Sequence, residues 1–166
     1  IHMLDASGSE TTRQSNQNNS GSHEETVEVP EIFIEAVNDN GLAVGISYIP
    51  TRDMGSKSRT DTSTGADAAA EADTGTYTAS AELDNVIKLY TDLPTGKSIA
   101  GGNLYVHLGL QHVELVTLES LNSGAVYPNK NLLGATLGLG IKGDIPYGNN
   151  LYYKGELSYT NFETYK

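Results

Sequence analysis

The segment Leu132–Ile145, with the sequence LLGATLGLGIKGDI, decides the fold class because apolar residues recur at every second position. One parity holds Leu133, Ala135, Leu137, Leu139, Ile141 and Ile145, and the other holds Gly134, Thr136, Gly138, Gly140, Lys142 and Asp144. A period of two residues predicts a β-strand with one apolar and one polar face.

Five further segments repeat this alternation and predict five more strands. They cover residues 27–37, 42–50, 79–93, 103–116 and 150–165. The chain of 166 residues holds 18 Gly and 10 Tyr but only 19% charged residues, a composition typical of β-rich proteins. We therefore expect an all-β, antiparallel fold.

Charge and cysteine content exclude several functional classes. The formal net charge is −11, so no basic surface is available for nucleic acid. The absence of cysteine excludes disulfides, thiolate metal sites and a cysteine nucleophile. No apolar run approaches the roughly 18 residues that a membrane helix requires, but a membrane β-barrel hides its apolar surface in alternate residues.

Connections of two lengths separate the predicted strands. Residues 1–26 are polar and predict a flexible external loop or tail, which leaves 27–166 as a β-barrel domain with long loops at 51–78 and 117–131. Short turns alternate with these loops at Asn38–Gly41, at Pro94–Lys97 and at Pro146–Asn150. Short turns at one rim and long loops at the other are typical of outer-membrane barrels.

The composition of the two strand faces favours a barrel that is apolar outside and polar inside. The polar face is rich in Gly, Ser and Thr, whereas a water-exposed strand face usually carries more Lys and Glu. Tyrosines near strand ends suit the boundary between lipid and water. The predicted interface aromatics are Tyr48, Tyr77, Tyr153, Tyr159 and Tyr165.

If the polar face is enclosed, its charges must be paired with one another. The predicted interior polar lattice is Glu31, Glu35, Glu82, Asp84, Lys88, His107, Lys142, Asp144, Lys154 and Glu156. Two hairpin registers follow from loops of three residues. The first pairs Ile34 with Ile46, with Gly41 in the left-handed position of the turn. The second pairs Lys142 with Glu156 and Asp144 with Lys154.

At this point the chain resembles the small outer-membrane β-barrel superfamily, the eight-stranded barrels of the outer membrane protein A and opacity-protein type. The resemblance covers about residues 24–166 and is carried by segments such as Leu132–Ile145, Leu151–Tyr165 and Leu104–Leu110. It implies an up-and-down transmembrane barrel in the outer membrane of a Gram-negative bacterium. Six visible strands, one before Ile1 and one after Lys166 would give the expected eight.

The resemblance also implies a function without catalysis. Members act as anchors, adhesins or narrow pores with mobile external loops, and their partners are outer-membrane lipid and lipopolysaccharide. Other cells, phage or matrix are further partners through the loops. No catalytic residue, metal or cofactor is expected. The alternatives are a soluble lipocalin-like carrier, whose apolar face would line a ligand cavity, and a secreted β-rich assembly subunit.

Two chemical interpretations remain weaker than this one. His107 and His112, with Glu114 and Ser120, could form a hydrolase triad, but their spacing is unspecific. The acidic residues of the second polar stretch match no compact calcium loop; they are Asp53, Asp61, Asp67, Glu71 and Asp73.

Overall fold

The computed structural model describes residues 1–11, 18–61, 75–120, 128–146 and 151–164, which are almost entirely β-structure. The strands are β1 (His2–Thr11), β2 (Asn18–Val27), β3 (Ile32–Val37), β4 (Ala43–Ile49), β5 (Arg52–Asp61), β6 (Gly75–Ile99), β7 (Gly102–Ser120), β8 (Lys130–Asp144) and β9 (Tyr152–Phe162). Each of the six segments predicted as strands contains one, although the first is a strand only from Ile32 to Val37, and the all-β antiparallel class is confirmed. The described parts of the chain contain no helix long and apolar enough to cross a membrane.

The chain divides into two compact units. Unit 1 contains residues 1–30, 51–84 and 115–129, and unit 2 contains 31–50, 85–114 and 130–166. Unit 2 carries the sheet order β3-β4-β6-β7-β8-β9, in which every strand lies beside its neighbour in the chain except where β5 intervenes. Among the described residues, β3 and β9 are therefore the edge strands of this meander.

The two faces of the unit 2 sheet differ in exposure as the alternation predicts. On β8, Leu137 and Leu139 are 61% and 57% exposed, whereas Thr136, on the other face of the same strand, is 4% exposed. Polar residues of β6 and β7 are buried in the same way, with Asp92 at 0% and His107 at 1%. The apolar face therefore points outward, and the polar face is enclosed by the curvature of the sheet.

A small apolar layer closes one end of the enclosed face. It consists of buried side chains near the strand ends that lie away from the β3–β4 turn. These residues are Ile49, Val86, Val113 and Leu132. Burial of apolar groups here removes water from one end of the polar interior.

The first hairpin has the predicted register. Ile34 lies opposite Ile46, and the Asn38 amide donates a hydrogen bond of 2.9 Å to the Leu42 carbonyl. The Asn38 carboxamide oxygen also accepts bonds of 3.0 Å from the amides of Asn40 and Leu42. Gly41 has a φ of 82°, so the turn uses glycine where other residues would be strained.

The predicted register of the last hairpin is wrong by two residues. Lys142 lies opposite Lys154, Gly140 lies opposite Glu156, and the Ile145 amide donates to the Leu151 carbonyl at 3.0 Å. The predicted register would have put Pro146 inside the ladder, where it has no N–H to donate. The ladder therefore ends at Ile145, and the shift of two keeps each residue on its predicted face.

The turn between β6 and β7 also lies later than predicted. Strand β6 continues through Pro94–Lys97 to Ile99, and Ala100 and Gly101 form the turn with φ values of 53° and 82°. Positive φ at both central residues matches the two-residue turn that suits the twist of paired strands.

Unit 1 corrects the expectation that the long polar segments are irregular. Strands β1 and β2 pair along their whole length, with His2 opposite Val27 and Thr11 opposite Asn18, so most of residues 1–26 form a hairpin. Strand β5 pairs with the first part of β6, and β7 extends to Ser120, so much of 51–78 and part of 117–131 are strands too. Cross-strand hydroxyl pairs such as Ser58–Thr78 at 2.8 Å replace apolar contacts in these ribbons.

Candidate functional site

The enclosed face of unit 2 carries a lattice of charged and tyrosine side chains, which we call the interior lattice. Period-two alternation turns residues of one parity inward on each strand. The members are Glu31, which precedes β3; Phe33 and Glu35 on β3; Lys88, Tyr90 and Asp92 on β6; Tyr105 and His107 on β7; and Tyr152, Lys154 and Glu156 on β9.

A tyrosine reaches across a glycine to a glutamate in one half of the lattice. Gly45 on β4 lies between Glu35 on β3 and Tyr90 on β6 in the register of the sheet. The Tyr90 hydroxyl donates a hydrogen bond of 2.9 Å to Glu35 Oε2 across this position. A Cβ at Gly45 would collide with the Tyr90 ring, so the missing side chain makes the bond possible.

The same arrangement recurs in the other half. Gly140 on β8 lies opposite Glu156 on β9, and a Cβ at Gly140 would collide with the Tyr105 ring from β7. The Tyr105 hydroxyl donates to Glu156 Oε2 at 3.1 Å. Two Tyr–Gly–Glu arrangements therefore hold one glutamate each on the enclosed face. From the sequence, Gly138 and Gly140 are expected to leave room for bulky interior neighbours such as Tyr152 and Phe33; in the structure the ring that a Cβ at Gly140 would meet is that of Tyr105.

Asp92 joins the two halves of the lattice. Its Oδ1 lies 2.7 Å from His107 Nδ1, and its Oδ2 accepts a bond of 2.7 Å from Lys154 Nζ. His107 Nδ1 is also 3.1 Å from Glu156 Oε2. A carboxylate without exposed surface thus has two partners, which is the condition under which a buried charge is tolerated.

A second ion pair and a cavity lie beside Asp92 and its partners. Lys88 Nζ is 2.7 Å from Glu31 Oε1. A cavity of about 170 Å³ is lined by this ion pair and by other members of the interior lattice, namely Glu31, Phe33, Lys88, Tyr90, His107, Lys154 and Glu156. Its polar lining is suited to water, whose share of liquid volume is about 30 Å³ per molecule.

A neutral polar layer continues the enclosed face beyond the charges. Gln111 donates to the hydroxyls of Thr136 and Thr160, each at 3.0 Å, and these two hydroxyls are 2.8 Å apart. The layer satisfies buried polar groups without adding charge.

The structure brings together six of the ten residues predicted for the lattice and separates the others. Glu31, Glu35, Lys88, His107, Lys154 and Glu156 belong to it. Glu82 and Asp84 lie in unit 1, where Asp84 accepts a hydrogen bond from Thr51. Asp144 is exposed opposite Tyr152, because the register shift removes it from Lys154. Lys142 Nζ is enclosed 5.6 Å from the centre of the Tyr105 ring and has no hydrogen-bond partner among the described residues, so the expected pairing of interior charges fails at this lysine.

Four members of the lattice were missed by sequence reasoning. They are Tyr90, Asp92, Tyr105 and Tyr152. Asp92 has the parity of Lys88 on β6, so the alternation itself could have found it. The alternation also places the three tyrosines on the polar face of their strands, but the predicted lattice contains only charged residues and His107.

The predicted interface aromatics are partly described. Tyr48, Tyr153 and Tyr159 lie on the outward face and are exposed, with Tyr159 the most so at 72%. Tyr165 and the side chain of Tyr77 lie outside the described residues.

The chemistry available to the lattice is ion pairing. Ligand atoms of Asp92, His107 and Glu156 lie within 4.8 Å of one another, a spacing that could hold a metal ion. The same carboxylates are engaged by the Lys154 ammonium and the Tyr105 hydroxyl. His107 is positioned by Asp92 and Glu156, not by the Glu114 of the hydrolase interpretation. Its Nε2 has no hydrogen-bond partner among the described residues, so it is not hydrogen-bonded to a described hydroxyl.

Substitution of Gly45 by valine is expected to destabilise unit 2 by about 1–3 kcal/mol, because the Tyr90 ring must leave the position that Gly45 opens. Chemical unfolding followed by tyrosine fluorescence measures the change. Gly155→Val is the matched control, since a Cβ at Gly155 would meet only Ile141 at 3.9 Å. Equal effects of the two substitutions would contradict the role of Gly45.

No protein-family model matches the chain, and comparisons with curated proteins and with solved structures find no significant match. Functional inference therefore depends on the residues of the lattice and of the outward face.

Proposed function

We propose that the chain is a non-enzymatic β-barrel of the bacterial outer membrane. In this proposal unit 2 crosses the membrane as a structural anchor, and the polar ribbons of unit 1 are extracellular segments. These ribbons would meet lipopolysaccharide, other cells, phage or matrix. The proposal goes beyond the all-β fold and follows from the distribution of side chains described above.

The observation that carries the proposal is the reversal of the usual burial. Outward positions of the sheet are occupied by large apolar side chains, with Leu157 at 83% exposure, while carboxylates and ammonium groups are enclosed. Soluble proteins rarely expose continuous apolar patches of this kind. An apolar exterior around a paired polar interior is favoured when the protein is surrounded by hydrocarbon.

The apolar positions form continuous rows across neighbouring strands. Ile34, Ile46 and Leu89 are opposite one another on β3, β4 and β6. On the last hairpin, Leu139 is opposite Leu157 and Leu137 is opposite Tyr159. Single exposed apolar residues are common on soluble proteins, but a continuous band of them is not. The band therefore supports contact with lipid.

Strand length supports the same conclusion for four of the six strands of the sheet, whereas β3 and β4 contain only six and seven residues. Strands β6 to β9 contain 25, 19, 15 and 11 residues, and a tilted transmembrane strand needs about 9–11. Tyr48 and Tyr159 on the outward face are candidates for the lipid–water boundary.

Closure of a barrel requires partners for the edge strands β3 and β9. Their side chains already meet through the interior, since Glu35 accepts bonds from Tyr152 at 3.1 Å and from Lys154 at 3.4 Å. In a six-stranded antiparallel meander the first and last strands run in opposite directions. Only an even number of added strands keeps the alternation, and two would give a barrel of eight.

A narrow pore is the second candidate function, and the cavity lined by Lys88, Lys154 and Glu31 favours it. The ion pairs that border this cavity would have to separate before a solute passed. Single-channel recording in planar bilayers distinguishes the two functions, because an anchor gives no current above the bare membrane.

Cell fractionation tests the membrane proposal directly. We expect the expressed chain to sediment with outer membranes, to need detergent for extraction and to migrate faster on gels before heating than after. A soluble carrier would instead appear in the fraction extracted without detergent. An assembly subunit would appear as particles of several times the chain's mass, and either result would overturn the proposal.

A further inference from the structure

The Lys154 ammonium group occupies a pocket made almost entirely by other strands. Three carboxylate oxygens surround Nζ, at 2.7 Å for Asp92 Oδ2, 3.4 Å for Glu35 Oε2 and 3.9 Å for Glu156 Oε2. Only Glu156 belongs to the same strand as the lysine. The oxygens therefore converge on one cation from β3, β6 and β9.

Three aromatic rings complete the surroundings of this ammonium. Its nitrogen lies 4.5 Å from the centre of the Tyr90 ring, 5.2 Å from that of Tyr105 and 5.6 Å from that of Phe33. Aromatic faces within about 6 Å attract cations, and groups of such rings recognise ammonium ligands. The Lys154 ammonium is therefore surrounded by both carboxylates and aromatic faces, the two kinds of group that attract organic ammonium ions.

The pocket does not depend on Lys154 for its own geometry. Glu35 is also held by the hydroxyls of Tyr90 and Tyr152. Asp92 is also held by His107, and Glu156 by Tyr105. These contacts keep the acceptor groups in position when the lysine side chain is absent, so the pocket is preorganised.

We propose that Glu35, Asp92 and the rings of Phe33, Tyr90 and Tyr105 form a binding site for a small primary ammonium ion, which Lys154 occupies as a tethered ligand. The tether gives the lysine an effective concentration that a soluble ion does not match, so the site is closed to such ions in the native chain. Removal of the side chain leaves three enclosed carboxylates that favour a soluble cation of the same chemistry. The site is independent of the proposed function, because it requires no particular surrounding of the outward face.

Lysine 88 provides a comparison within the same lattice. Lys88 is somewhat more enclosed than Lys154, with side chains 7% and 14% exposed, and among the described residues its ammonium has the carboxylate of Glu31 at 2.7 Å and the ring of Tyr90 at 5.6 Å. Lys88→Ala is therefore the matched control for Lys154→Ala.

The test follows refolding of Lys154→Ala, as the full chain, in increasing methylammonium chloride. Sodium chloride and tetraethylammonium chloride at equal ionic strength control for screening and for size. We expect the thermal midpoint to fall by at least ~10 °C without an ammonium ion and to recover in methylammonium alone. The midpoint of Lys88→Ala is expected to depend on ionic strength and not on the identity of the cation.

Three results would overturn the site. They are equal recovery in all three salts, equal selectivity in Lys88→Ala, and no recovery of Lys154→Ala in any salt. If the fractionation experiment finds the chain to be soluble, the refolding of Lys154→Ala is carried out in buffer without lipid or detergent, and its expected results stay the same. Failure of the ammonium site and failure of the membrane proposal are therefore distinguishable.

A second variant guards against a general failure of Lys154→Ala to fold. Because the chain has no cysteine, Lys154→Cys introduces a single thiol. Aminoethyl methanethiosulfonate converts this thiol to a mixed disulfide bearing an ammonium group and releases methanesulfinate, and the methyl reagent adds a neutral group by the same reaction. We expect the aminoethyl adduct to refold with a midpoint near that of the native chain and the methyl adduct not to. Equal behaviour of the adducts would exclude ammonium recognition.

Discussion

The equilibrium constant for insertion of the chain into lipid bilayers is expected to fall about 30- to 700-fold when Leu139 is replaced by arginine. Leu139 is exposed on β8 and lies opposite Leu157, which the outward tyrosines Tyr153 and Tyr159 flank along β9. In the proposed barrel this position is near the bilayer midplane, where an arginine on the lipid face costs about 2–4 kcal/mol. The folded fraction recovered from vesicles of stated composition, separated by gel migration before heating, measures the loss.

The control for this result is the same substitution at Leu93. Leu93 is exposed beside Pro94, beyond the last residue pair of β4 and β6, where the cost of arginine falls to about 0–1 kcal/mol. If both variants insert equally well, the outward face does not meet hydrocarbon. Improved solubility of Leu139→Arg without detergent would favour the soluble carrier instead.

Replacement of Asp92 by asparagine is expected to lower the free energy of unfolding by about 3–5 kcal/mol. Asp92 is fully buried and bonds both His107 and Lys154, at 2.7 Å each. Asparagine keeps the shape of the side chain but removes its charge, which leaves the Lys154 ammonium with only the more distant carboxylates of Glu35 and Glu156. Urea unfolding monitored by the gel shift and by circular dichroism measures the change.

Asp144→Asn serves as the control because Asp144 is exposed at the end of β8. Its free energy of unfolding is expected to stay within about 0.5 kcal/mol of that of the native chain. A loss at Asp92 no larger than that at Asp144 would show that the interior lattice does not stabilise unit 2. Such a result would also remove the basis for a preorganised ammonium site.

The two Tyr–Gly–Glu arrangements explain how a narrow interior accommodates its charges. Each glycine opens the space through which a tyrosine hydroxyl reaches a glutamate two strands away. The hydroxyl gives the carboxylate a donor that lysine alone does not provide, and its ring gives the Lys154 ammonium an attractive face. An interior filled in this way favours an anchor, because solutes would have to displace several coupled hydrogen bonds.

The faces of the strands could be predicted from the sequence, but pairings across the hairpins only in part. Alternation assigns Leu137 outward and Thr136 inward whatever the register, since a shift of two residues changes no face. The register itself depends on the turn. Asn38 and Gly41 define the first turn by their own hydrogen bonding and φ, whereas in the second Pro146 ends the ladder earlier than loop length suggested.

The polar ribbons of unit 1 could not be predicted because apolar alternation is absent from them. In strands such as β1 and β5, Ser, Thr, Gly and charged residues are spread over both faces, and the ladder and cross-strand hydroxyls supply the pairing. Strands are recognised in a sequence by the alternation of apolar and polar residues, and such strands do not show it.

By itself the sequence determined the β-class, the six strands of unit 2 and the side of each strand that carries charge, because a period of two is a local property of the chain. Only the tertiary structure decided which of those charges meet. Asp92 reaches His107 and Lys154, and Glu35 reaches Tyr152, because curvature of the sheet brings together strands that are far apart in the chain. Contacts across the interior depend on that curvature and on which side chain of a neighbouring strand faces each glycine, and the pattern within a single strand contains neither.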